Sequence, residues 1–226
     1  MVGIDAIRGL AILLMISFHF CYDLEFFNFY NFNIAKNPFF LNYRLIIVNL
    51  FLFIVGVSLV LANQNGINWQ KVKKRGFILF LSSMLISIVT YFIFPSSWIY
   101  FGVIHFIFIA SILALPFLNY PLIALFSSLI IIYLYFNGII SMHFLFNLVA
   151  NSLHLPKYYT QDLVPFIPWF ATVLLGVSFA KFGFYKVLDI KENFIVRKLA
   201  FLGKYALIIY LIHQPILFGL FYLIAK

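Results

Sequence analysis

Long apolar runs separated by short polar breaks organise this chain. Runs close to the roughly 20 residues needed to span hydrocarbon as a helix fall at about residues 9–26, 45–62, 77–94, 99–118, 120–136, 165–183 and 205–224. The run LIIVNLFLFIVGVSLVLA at 45–62 is apolar on every side, whereas a strand of a membrane barrel would alternate apolar and polar positions. The pattern predicts an all-α, polytopic membrane helix bundle of about seven transmembrane helices, organised as a single domain over residues 1–226. The breaks PSSW at 95–98 and NYP at 119–121 are short enough to make the helices they join antiparallel neighbours.

Two stretches depart from the spanning pattern. Residues 138–156, GIISMHFLFNLVANSLHLP, are too short and too interrupted to span. They predict an interfacial or re-entrant helix, placed as a lid over an outward-facing cavity. Residues 184–204 carry apolar positions at helical spacing, Val187, Ile190, Phe194 and Ile195, among basic residues. This segment is expected to lie along the inner membrane surface.

Composition and charge sharpen this picture. The chain has 226 residues, 65% hydrophobic and 9% charged, outside the range of soluble domains. The net charge of +9 is not spread as a nucleic-acid footprint. It concentrates in Lys71, Lys73, Lys74 and Arg75 and in Lys181, Lys186, Lys191, Arg197, Lys198 and Lys204, two breaks on one side of the predicted bundle that Arg8 shares. Only Lys36, Arg44, Lys157 and Lys226 fall on the other side. The positive-inside rule then predicts a cytoplasmic N-terminus and an outer C-terminus, with anionic lipid as one partner of the basic clusters. The first run has Asp5 beside Arg8 and no small-residue cleavage site, so it is expected to remain as a helix rather than be removed as a signal peptide. The single cysteine, Cys21, forms no intramolecular disulfide and is expected to pack.

The chemistry candidates are the ionisable groups inside apolar runs, which are costly there and mark function. In DAIRGLAILLMISFHFCYDLEFF, 5–27, Asp5, Arg8, His19 and Asp23 fall within roughly 60° of one another at about 100° per residue. His19 and Asp23 are spaced i, i+4 and can hydrogen-bond directly, an arrangement that would orient a general base. The same bond is also open to a structural reading. Asp5 and Arg8 are equally a helix-start pair at the inner boundary. His105 and His213 also lie inside runs, the latter in LIHQP beside Gln214 and Pro215. Each is either a satisfied packing group or part of one polar cavity. Metal-binding spacings such as H-x-x-x-H are absent from the sequence, so no metal site is expected. His143 and His154 are expected to face solvent outside. Asp162 is placed either to cap the sixth helix or to bind substrate, and Trp169 to anchor at the interface.

Taken together, DAIRGLAILLMISFHFCYDL, FGVIHFIFIASILALPF, DLVPFIPWFATVLLGVSFA and LAFLGKYALIIYLIHQP resemble the compact prokaryotic branch of the heparan-alpha-glucosaminide N-acetyltransferase catalytic-domain family, within the transmembrane acyltransferases. The resemblance covers nearly the whole chain, in order. It implies transfer of an acetyl group from cytoplasmic acetyl-CoA, the acyl-CoA donor, to an amino or hydroxyl group of a sugar or glycan reached from the outer face of the inner membrane. It makes His19 the catalytic imidazole, as general base or acyl carrier, and puts Arg8 toward the donor entrance. With it go Asp23 as orienting carboxylate, His105 and His213 as oxyanion partners, and Lys73, Lys74 and Arg75 for the donor nucleotide. Arg44, Asp162, Trp169 and Gln214 are candidates for the acceptor. A homo-oligomer is compatible with this reading. The competing class is a small-molecule or proton-coupled transporter using the same histidines.

Overall fold

A computed structural model describes residues 1–142, 146, 150, 152, 155, 156 and 160–225. The lid expected over 138–156, with His143 and His154, falls largely on residues outside that set, as do Lys157 and Lys226. The described residues form helices α1 (Val2–Phe26), α2 (Pro38–Ala62), α3 (Trp69–Ile93), α4 (Val103–Leu113), α5 (Pro121–Phe136), α6 (Phe166–Lys181), α7 (Phe194–Lys204) and α8 (Ala206–Ile224). Among the described residues α1, α2, α3 and α8 are long and apolar enough to cross a membrane, and α4, α5 and α6 are shorter apolar helices. The fold is all-α.

Local chemistry sets the helix ends. The Asn68 and Asn193 side chains accept from the backbone N–H of Lys71 and Val196 at the starts of α3 and α7, satisfying N–H groups that have no partner within the helix. Pro121 opens α5 at the position where its missing N–H costs nothing. The run expected at 99–118 is shortened to α4 plus the 3-10 turn Pro116–Asn119. The reason lies ahead of α4, where 97–103 is stitched to 160–164. Gln161 N–H donates to the Ser97 carbonyl at 3.0 Å, Val164 N–H to the Phe101 carbonyl at 3.2 Å, and Thr160 Oγ1 to the Trp98 carbonyl at 2.7 Å.

The chain divides into two compact units, residues 1–54 with 185–226, and residues 55–184. In the first, α1 packs on α7 through small residues. Ala6, Val196 and Ala200 form a buried cluster, and a Cβ on Gly9 would strike the Leu199 carbonyl while one on Gly203 would strike that of Asp5. Only glycine allows backbones this close, a packing mode that works in lipid because it relies on contact rather than on water exclusion. The buried face of α7 is Val196, Ala200 and Gly203. Val187, Ile190, Phe194 and Ile195 are exposed, so the segment carries one apolar face for α1 and a second that the protein leaves uncovered. Farther along α1, Ile12 and Met15 bury against Ile47 of α2, with Ile209 and Tyr210 of α8 packed on them. Side-chain contacts climb α1 and α8 together, from His19 with His213 through Asp23 with Gln214 to Phe26 with Phe218, so the two helices run parallel.

In the second unit α5 and α6 are joined by hydroxyls. Ser128 Oγ donates to the Ala171 carbonyl at 2.9 Å and Ser178 Oγ to that of Pro121 at 3.1 Å. Phe80 of α3 meets Phe108 of α4.

Candidate active site

The first unit gathers four polar side chains between α1 and α8. Asp23 is wholly buried, and its Oδ1 accepts from Gln214 Nε2 at 2.8 Å. His19 and His213 meet edge to face with ring centroids 5.0 Å apart. His213 is buried, and its Nδ1 is 2.7 Å from the Tyr210 carbonyl. A carbonyl only accepts, so Nδ1 carries the proton and, in the neutral ring, Nε2 presents a lone pair. Tyr22, Tyr210 and Phe18 supply the neighbouring rings.

The direct His19–Asp23 bond expected from i, i+4 spacing is replaced. Asp23 turns to the Gln214 amide on α8, and His19 turns to His213. What remains is unusual for a buried site. His19 Nδ1, Asp23 Oδ2, His213 Nε2 and Gln214 Oε1 are each buried without a hydrogen-bond partner. An unsatisfied buried polar atom costs about 1–3 kcal/mol, and most native proteins hold only a few per 100 residues. Four converge here on two helix turns.

Other candidates have definite local roles. Arg8 pairs with Asp5 at 2.8 Å and also donates to the Gly203 carbonyl at 3.3 Å, near the end of α7. A cation there complements the helix dipole, so the helix-start pair also locks α7 to α1. His105 lies in the second unit with both ring nitrogens engaged. Gly102 N–H donates to Nδ1 at 3.3 Å, Nε2 donates to Ser87 Oγ at 2.9 Å, and the Ser87 hydroxyl donates to the Ile99 carbonyl at 2.8 Å. Asp162 Oδ2 accepts from Val103 N–H at 2.9 Å. It therefore caps α4, where the sequence left it either to cap the sixth helix or to bind substrate. Trp169 is half-buried in the first turn of α6, and Arg44 is exposed on α2. Lys73 and Lys74 are exposed on α3, while Arg75 is half-buried and lines a cleft with Ser111 and Phe108.

The Tyr210 carbonyl and the Ser87 hydroxyl were not among the residues marked in the sequence. Tyr210 sits three residues before His213, a spacing at which a helical imidazole can reach back to a carbonyl. Ser87 is on another helix, with no comparable local signal.

Residues 1–215 match the family model described as heparan-alpha-glucosaminide N-acetyltransferase, catalytic. The chain belongs to this family. No curated protein and no solved structure matches it. As a member of the N-acetyltransferase family with several helices able to span a bilayer, it is a multi-pass membrane protein of acetyltransferase type. The region shared with the N-acetyltransferase model extends just past Gln214, so all four members of the cluster lie inside it.

Proposed function

We propose that the chain transfers an acetyl group from acetyl-CoA to an amine or hydroxyl of a sugar acceptor, at the cluster between α1 and α8. The observation that carries the reading is the chemical type of the unpartnered atoms. Gln214 Oε1 and, in the neutral ring, His213 Nε2 can only accept hydrogen bonds, and an ionised Asp23 Oδ2 does the same. A ligand suited to them brings N–H or O–H donors, as an amino sugar does. An acyl chain or a soluble anion does not.

In the step itself, the acceptor nitrogen or oxygen attacks the thioester carbonyl carbon. The new N–C or O–C bond forms, the C–S bond breaks, and the acceptor's proton passes to His19 Nδ1 and from there to the departing coenzyme A sulfur. With an amine acceptor, His213 Nε2, its tautomer set by the Tyr210 carbonyl, accepts from the remaining N–H. Gln214 holds Asp23 and so fixes the floor of the site.

Topology supports the same arrangement. With the basic clusters inside, the N-terminus is cytoplasmic, the donor arrives from the cytoplasm of the inner membrane, and the acceptor is met from the other face.

The test is transfer of labelled acetyl from acetyl-CoA to a panel of amino sugars by the purified full-length protein. His19→Ala, shown to be folded, is expected to lose on the order of 10²–10⁴-fold in rate. Full transfer by that variant would sink the assignment, and substrate flux into liposomes with no acetyl transfer would indicate a transporter.

A further inference from the structure

The second unit contains a cleft whose apolar walls the acyltransferase reading does not use, although the resemblance puts Arg75, which lines it, toward the donor nucleotide. It lies between the end of α2, the first half of α3 and the end of α4. Its walls are apolar, with Leu59, Leu79 and Phe108 among them, and Lys71 and Arg75 stand at one end. From Lys71 to Leu79 the wall of α3 runs about 12 Å along its axis.

Two details of the cleft need explaining. The first is Gly76. The helical glycines Gly9, Gly56 and Gly203 each face a backbone carbonyl that a Cβ would strike, whereas Gly76, like Gly219, faces none. A Cβ on Gly76 would find its nearest neighbour, Phe108 Cε2, at 3.7 Å, an ordinary contact. Glycine within a helix costs about 1 kcal/mol relative to alanine, and no close backbone approach accounts for it here. It keeps the cleft open. The second is Ser111. Serines in apolar helices return their hydroxyl to a carbonyl three or four residues back, as Ser17, Ser83 and Ser178 do. Ser111 Oγ is buried without a partner, and it lines this cleft.

From this geometry we infer that the cleft seats one anionic phospholipid, its phosphate against Lys71 and Arg75 and the head of its chain along Gly76 toward Leu79, with Ser111 Oγ donating to an ester oxygen. Basic pockets between membrane helices are where lipid head groups bind. An acyl-CoA suits the cleft poorly. The Asn63 side chain, the other polar group there, is committed to the Leu59 carbonyl and the Asn68 N–H, which leaves nothing to read an adenine or the amides of a pantetheine arm. The inference stands independently of the chemistry at His19.

Native mass spectrometry of the full-length protein, titrated with phosphatidylglycerol or phosphatidylcholine, tests it. The wild type is expected to retain one phosphatidylglycerol about tenfold more tightly than phosphatidylcholine, the scale of two basic side chains beside an anionic head group. Gly76→Leu fills the cleft and is expected to lose that lipid. Arg75→Gln is expected to narrow the preference severalfold. Gly76→Ala, whose methyl meets only an ordinary contact, keeps the fold and weakens retention slightly, so the test survives if the leucine variant does not fold. Equal retention of the two lipids by the wild type would overturn the inference. So would unchanged retention in Gly76→Leu and Arg75→Gln, or one-for-one displacement of the lipid by acetyl-CoA.

Discussion

His105 and His213 are two buried histidines in apolar helices of similar composition, and their surroundings are opposite. Around His105 every ring nitrogen has a partner, the chain of bonds ends on a backbone carbonyl, and the neighbouring carboxylate, Asp162, caps a helix. Around His213 one ring nitrogen is tied down and the other is bare, and the same holds for each oxygen pair of Asp23 and for the two ends of the Gln214 amide. A polar group that stitches a membrane protein together is expected to have its hydrogen bonds closed, because open ones are penalised in a medium without water. A group retained with a bond open is tolerated for what binds there. On the proposed function, the same residue type has a structural role in one unit and a chemical one in the other.

Five variants test that division, in decreasing order of effect. Replacing His213 with Gln is expected to lower acetyl transfer by roughly 10²-fold, as misplacing a reacting group does, with thermal stability in detergent little changed. Gln214→Leu leaves the Asp23 carboxylate buried without its donor and is expected to cost about 1.5–3 kcal/mol of stability. The double variant Asp23→Leu with Gln214→Leu removes both partners and is expected to recover most of that loss in a denaturation series while staying inactive. His105→Leu strands the Gly102 N–H and removes the donor to Ser87 Oγ, so about 1–3 kcal/mol of stability is lost while transfer per folded molecule holds. Asp162→Ala removes a helix cap at about 0.5–2 kcal/mol, seen as a lower unfolding temperature with the acetyl-CoA dependence unaltered.

Much of the frame was legible from hydropathy. The long spans α1, α2, α3 and α8, the breaks between helices and the amphipathic stretch before α8 follow from length and period, which are local properties. The shortened α4 was not legible, because its cap, Asp162, is 59 residues away in the chain. Within the site, His19, Asp23, His213 and Gln214 could be marked because ionisable and amide groups stand out in an apolar run. Their partners could not be assigned, since i, i+4 spacing on α1 favoured a His19–Asp23 bond, whereas the amide on α8 takes the carboxylate. Arg8 shows the same limit from the other side. Its pairing with Asp5 is readable at i, i+3, but its second bond reaches Gly203, 195 residues on. The second apolar face of α7 was hidden for a related reason, because small residues such as Ala200 and Gly203 give little hydropathy signal and still make the closest helix contact.

The most direct measurement is the rate of acetyl transfer per folded molecule in His213→Gln and His105→Gln, compared side by side with saturating acetyl-CoA. The division of roles predicts a loss of at least about 100-fold for the first and a rate close to wild type for the second. Equal rates in the two variants, or a larger loss at His105, would contradict it.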